Sequence, residues 1–126
     1  LLSLDPGKEC LLTWMVWMVH RAYLNDETLG ELDFSNLEMP PPYVQPKVAP
    51  KLMKALQERN TNMVRLKLPN TNMQKEQGHE LADVMRLNKT LRIINVESND
   101  LDTECVKACA LKLSENKDTR LEQWLF

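Results

Sequence analysis

Apolar side chains recur along this chain in a fixed phrase. NTNMVRLKL (residues 60–68) and NKTLRIINV (residues 88–96) superimpose without a gap. In that register Asn60 matches Asn88, Met63 matches Leu91, Leu66 matches Ile94, Leu68 matches Val96 and Met73 matches Leu101, all 28 residues apart. The same step carries Asn88 to Asn116. Upstream, Asp26 stands before Leu29, Leu32 and Phe34 with the same internal spacing, 34 residues ahead of Asn60. One copy therefore holds six extra residues (34 − 28), and they fall in the proline-rich segment MPPPYVQP, Met39 to Pro46. A further copy opens at Leu121, Trp124 and Phe126 after two extra residues. Within each phrase apolar and polar positions alternate, the period of a short strand buried on one face.

Between the phrases the period changes. Residues 47–59, 75–87 and 103–115 have helix-forming composition and apolar side chains at helical spacing: Met53 and Leu56, then Leu81, Val84 and Met85, then Val106, Cys109 and Leu113. Asp102 followed by Thr103 and Glu104 predicts a helix start, and Asn60, Asn88 and Asn116 suit helix ends. Residues 8–24 read as the helix of an earlier copy, because Val19 and Tyr23 precede Asp26 as Leu81 and Met85 precede Asn88. The strand of that copy is Leu1 to Leu4 or is missing.

A strand and a full helix in each 28-residue unit predict an α/β fold, a leucine-rich repeat solenoid with a short parallel sheet on the concave face and helices on the convex face. Residues 1–126 then form a single domain of about three and a half to four repeats with an insertion at 39–46. Each copy has the form LxxLxL followed by a polar turn. The fullest turn, LRIINVESNDL (91–101), puts Asn99 where an amide can bond backbone groups left unpaired as the chain leaves its strand. Thr71 and Leu37 hold that place in the other copies, so this ladder is expected to be incomplete. No repeat buries its apolar side alone, so the ends at Leu1 and at Trp124, Leu125 and Phe126 call for a cap, a flanking segment or a partner.

The phrase TLRIINVESNDL with NKTL at its start resembles the repeats of the tropomodulin and leiomodin family. The likeness is strongest from Asn88 to Leu101 and weaker over Asn60–Met73 and Leu29–Met39. It implies a cytoskeletal, actin-binding module directed at the slow-growing end of filaments. The wider ribonuclease-inhibitor type of repeat, which serves many protein partners, fits the spacing equally well.

Composition narrows the classes without changing the fold. The 43% hydrophobic and 27% charged shares are those of a soluble folded chain, not a disordered one. A net charge of −2 offers no basic surplus for nucleic acid. The most apolar run, CLLTWMVWMV from Cys10 to Val19, is half the roughly twenty residues a membrane-spanning helix needs, so it predicts a buried helix and no membrane span. No basic start precedes it and no small-residue cleavage site follows. Three cysteines without CxxC spacing argue against a disulfide framework and a zinc cage. A reducing, cytoplasmic and cytoskeletal location is expected, although a mature organellar chain stripped of its targeting peptide would look the same. The chain begins at Leu1 and not at Met, which fits a fragment, a processed chain or part of a longer one.

Nothing in the chain points to catalysis, a metal or a cofactor. There is no GxSxG elbow, and three glycines are too few for a phosphate loop. His20 and His79 lack companion ligands at metal spacing. Cys105 and Cys109 lie one helical turn apart, and small buried residues are favoured over a metal site with His79. Glu76, Glu80 and Asp83 read as a solvated helix face rather than an acid/base pair.

The binding face follows from alternation along the strands, because residues between buried leucines point away from the helices. These are Glu31, Asp33 and Ser35, then Arg65, Lys67 and Pro69, then Ile93, Asn95 and Glu97, then Gln123 and Leu125. As a partner surface, Glu31, Asp33, Arg65, Lys67, Asn95, Glu97 and Gln123 would set acidic residues against one partner region and basic residues against another. The bland alternative is a merely solvated sheet. A structural subunit of a larger assembly would dock instead through Trp14 and Trp17 on the first helix and the open edge at Trp124. PPPY at 40–43 matches the PPxY ligand of WW domains, yet a loop packed over the repeat edge is the favoured reading.

Overall fold

The structure is a computed structural model that describes residues 6–126. The expected strand at Leu1–Leu4 and the apolar edge at Leu1 lie outside the described residues. Helix and strand alternate strictly: α1 (Pro6–Tyr23), β1 (Glu31–Asp33), α2 (Ala49–Glu58), β2 (Arg65–Lys67), α3 (Lys75–Leu87), β3 (Ile93–Asn95), α4 (Thr103–Ser114) and β4 (Gln123–Leu125). The helices and strands fall where the two periodicities put them, to within two residues at each end.

The strands form one parallel sheet in the order β1-β2-β3-β4. Leu32 pairs with Leu66, Leu66 with Ile94 and Ile94 with Trp124. Three residues per strand is short, and pairing runs on past them. Phe34 N–H donates to the Lys67 carbonyl at 2.9 Å, Leu68 to Asn95 at 2.8 Å and Val96 to Leu125 at 2.8 Å. The turns themselves stack, with Asn36 N–H on the Pro69 carbonyl and Asn70 N–H on that of Glu97, both at 2.9 Å. Asn36, Asn70 and Ser98 recur at the repeat step and share a left-handed backbone, φ 63°, 51° and 57°. Asparagine tolerates that region far better than most side chains do.

The helices form a second layer in which α1 packs on α2, α2 on α3 and α3 on α4. Between the layers lies the core. Leu32, Leu66 and Ile94 enter it from the sheet, Leu52 and Leu56 from α2, and Leu81, Val84 and Met85 from α3, all essentially sealed from solvent. Burying each of these is worth about 2 kcal/mol. From α1, Met15, Val19 and Ala22 face the same core. The Trp14 ring covers its end, packing on buried Phe34 with centroids 5.3 Å apart.

The helix ends obey local chemistry. Asp102 caps α4, its Oδ1 accepting from Cys105 N–H at 3.0 Å. At the start of α3 the Gln77 side chain reaches back to accept from Gln74 N–H at 2.8 Å. Without a side-chain cap, α2 opens with Pro50 in its first turn, where a missing N–H costs nothing. Gly78 of α3 is where α4 comes closest: a Cβ built there would stand 2.7 Å from Cys105 Sγ and 2.9 Å from Leu101 Cδ2.

The asparagines at the repeat step do more than end helices. Asn60 Nδ2 donates to the Ala22 carbonyl at 2.9 Å, Asn88 Nδ2 to Leu56 at 2.9 Å and Asn116 Nδ2 to Met85 at 2.9 Å. Each reaches back to the preceding helix. Their oxygens accept from the backbone ahead: Asn60 Oδ1 from Asn62 and Met63, Asn88 Oδ1 from Thr90 and Leu91, and Asn116 Oδ1 from Asp118. Every one is a buried amide joining consecutive repeats. Asn99 acts likewise at the strand exit, accepting from Thr71 and Met73 N–H and donating to the Leu68 carbonyl at 2.8 Å. Leu37 offers no amide in the first copy, so that second ladder is incomplete, as its sequence implies.

Candidate protein-binding face

The parallel register lines the outward side chains into two rows across the sheet. Glu31, Arg65, Ile93 and Gln123 form one; Asp33, Lys67, Asn95 and Leu125 form the other. The face is partly self-neutralised. The Glu31 carboxylate accepts from Arg65 Nε at 3.1 Å and pairs with Lys67 Nζ at 2.9 Å. Lys67 foremost holds the Glu31 carboxyl below its usual range; burial opposes it, and the Arg65 hydrogen bond and both charges add to the lowering. The acidic and basic residues therefore meet inside the face rather than standing as two blocks.

Asp33 is occupied as well. Its carboxylate accepts from the Ser35 hydroxyl and from Ser35 N–H, which together lower its pKa. Asn95 makes the same turn, its Oδ1 accepting from Glu97 N–H at 3.0 Å. Glu97 stays exposed and, among the described residues, outside any ion pair. Gln123 is exposed at the far strand. The face thus offers a held Glu–Arg–Lys cluster, polar amides and the aliphatic Ile93 and Leu125, with no nucleophile–base pair in it.

The tryptophans do not share one surface. Trp14 and Trp17 lie together on α1, 40% and 59% exposed. β1 and β4 are the two edges of the sheet, and Trp124 sits on β4. Trp124 also occupies the inward row with Leu32, Leu66 and Ile94, stacked edge-on to Phe126 at 5.2 Å. Its indole N–H is buried with no partner among the described residues.

The PPPY segment closes into a turn. The Pro41 carbonyl accepts from Val44 N–H at 2.9 Å and Gln45 N–H at 3.0 Å. An extended proline helix has no such internal bonds, so this is a folded loop and not a ready WW ligand. Cys105 and Cys109 are buried and point their thiols at the Lys75 and Gly78 carbonyls of α3. Burial pushes the Cys109 thiol up to about 12, which makes it inert at neutral pH. His79 is exposed. Among the described residues no group of three metal-binding side chains comes together, and no helix is long and apolar enough to cross a membrane.

The buried amides at Asn60, Asn88 and Asn116 are what the sequence reading missed. The signal was present, since one polar residue type recurs at an unbroken 28-residue step just before the apolar phrase. Helix-end asparagine was a sufficient explanation for it.

No family model matches the chain, and no curated protein matches it. Among solved structures, actin-binding site 2 of leiomodin-1 is similar, with a TM-score of 0.74 and 20% identity over 86% of this chain and 58% of that one. The tropomodulin C-terminal domain of Caenorhabditis elegans is similar with a TM-score of 0.73 and 18% identity, over 86% of this chain and 60% of that one. The chain therefore spans about six-tenths of the length of the solved chains it matches. The fold is that of these leucine-rich-repeat-like domains, which meets the resemblance carried by NKTL and LRIINVESNDL.

Proposed function

We propose that the chain is a non-catalytic protein-binding module, acting as one domain, whose outer sheet face engages actin. What supports the reading is a fold held in common with actin-binding site 2 of leiomodin-1. The single observation that carries it to particular residues is the register of the sheet, which lines up Glu31, Arg65 and Gln123 in one row and Asp33, Lys67 and Asn95 in the next across adjacent strands, with Glu97 just beyond β3. Held side chains suit recognition, because less rotamer freedom is lost when a partner docks. A cytoskeletal location follows from the same reading.

Cosedimentation with actin filaments tests it. The wild type is expected to pellet with filaments, and the Arg65→Ala, Lys67→Ala pair to lose most of that binding. Both cations lie at the rim of the Glu31 cluster and are half exposed, so the pair is expected to fold. Wild-type protein that stays in the supernatant at tens of micromolar filaments would defeat the actin reading.

A second reading rests on different residues. Trp14 and Trp17 leave much of two indole rings in solvent on α1, and such aromatic surface suits a neighbour in a larger assembly. Under this reading Trp17→Ala disrupts complex formation and Arg65→Ala does not.

A further inference from the structure

The insertion that distinguishes the first copy also builds one wall of a hollow. Met39 and the three prolines Pro40, Pro41 and Pro42 make one wall, and the start of α3, with Gln77 and Glu80, makes the other. The space between them is about 440 Å³, within the range of pockets that seat a few side chains. The closed turn on the Pro41 carbonyl fixes the loop before anything binds, and proline leaves little freedom to lose. Tyr43 stands at the lip, 89% exposed, an expensive place for an aromatic ring unless something covers it.

The wall formed by α3 is acidic. Glu76 and Glu80 line the groove, Asp83 follows one turn on, and none of the three forms an ion pair among the described residues. No Lys or Arg lines it. Burial first, then the Asp83 and Glu76 charges, raises the Glu80 pKa, a cost that a bound cation would relieve. The positive end of the α3 dipole opposes such a cation with only about half a charge, less than two carboxylates supply. Gln77 is 4% exposed, and its Oε1 is engaged by Gln74 N–H, so the amide N–H₂ is the end of the side chain turned toward a ligand carbonyl.

We propose that this groove is a second binding site, distinct from the sheet face, for an extended peptide segment in which a Lys or Arg adjoins an aliphatic residue. The aliphatic side chain lies against Met39 and the prolines, the cation sits between Tyr43 and the Glu76 and Glu80 carboxylates, and the Gln77 amide donates to the peptide backbone. Cation, aromatic face and carboxylates together give the site its preference for basic segments.

Fluorescence anisotropy with a short labelled peptide alternating leucine and arginine tests this. Saturable binding is expected, with affinity about tenfold weaker for Glu76→Gln, Glu80→Gln protein and weaker at high salt. Tyr43→Ala is expected to weaken it less, and Glu97→Gln on the sheet face not at all. These side chains have no structural partners among the described residues, and thermal melts of the variants check that they fold. A leucine–glutamate peptide that binds equally well would overturn the proposal. So would affinity that ignores Glu76→Gln, Glu80→Gln, or sedimentation showing that a second copy of the chain fills the groove. Because actin binding is read on other residues, loss of either site leaves the other measurable.

Discussion

The two inner copies of the repeat and the first copy solve the same problem differently. From Asn60 to Met73 and from Asn88 to Leu101 the chain repeats itself position by position, with Met63 and Leu91, Leu66 and Ile94, and Leu68 and Val96 all buried. At the head of each stands an asparagine that donates backward and accepts forward. The first copy has Asp26 in that place. It still accepts from Thr28 N–H at 2.9 Å, but its other oxygen takes Arg21 Nε of its own helix at 2.7 Å. An amide serves where a carbonyl of the preceding helix is bonded; at Asp26 the bonded group is the Arg21 cation of α1, which a carboxylate suits. Repeat regularity here records backbone groups satisfied between neighbours, and irregularity marks where that demand changes.

This contrast can be broken most severely at Asn88. Replacing it with Ala leaves the Leu56 carbonyl and the Thr90 and Leu91 N–H groups without their partner, at a cost of about 3 kcal/mol or more. Chemical denaturation measures it, and Asp26→Ala, at a partly exposed ion pair, is expected to cost far less. Equal losses at the two positions would erase the distinction.

Gly78→Ala comes next. The added methyl meets Cys105 Sγ and Leu101 Cδ2 inside normal contact distance, so these side chains or the helices that carry them must shift, costing about 1–3 kcal/mol. Cys105→Ala in the same chain should restore part of that loss, which a double-mutant cycle reads directly.

A smaller change of opposite sign sharpens the picture at the turns. Ser98 carries the left-handed backbone that Asn36 and Asn70 carry in the earlier copies. Ser98→Asn is expected to raise stability by about 0.5 kcal/mol. A melt that is unchanged or lower would mean that the Asn side chain is not what makes this turn tolerable.

The smallest effect belongs to Asp26 itself. Arg21 first, then Thr28, lowers its pKa from 3.8 to about 2. Because the folded value lies below the unfolded one, this pair's contribution is complete above pH 3.8 and fades as pH falls toward 2. Wild type and Asp26→Asn should therefore converge in stability across that window, with the gap largest at neutral pH.

Much of this could be read from the chain itself. Strands and helices followed from two periodicities, and the alternation in ELD, RLK and IIN placed the outward residues correctly. What escaped was lateral. That Glu31 is shared between Arg65 and Lys67 depends on a strand register linking residues 34 apart, and nothing local signals it. The groove beside Pro40–Tyr43 escaped for the same reason, since its acidic wall belongs to the next repeat. Trp124 was legible in part: the LxxLxL spacing puts it in register with Ile94, as the sheet does, on the edge strand β4.

Whether a protein partner binds the outer sheet face is decided by hydrogen exchange with and without actin filaments. Slowed exchange is expected at the outward-facing segments around Arg65–Pro69 and Ile93–Glu97, with the Pro40–Tyr43 loop and the exposed side of α1 unchanged. Protection confined to α1 around Trp14 and Trp17, or no protection under conditions where the proteins cosediment, would contradict it.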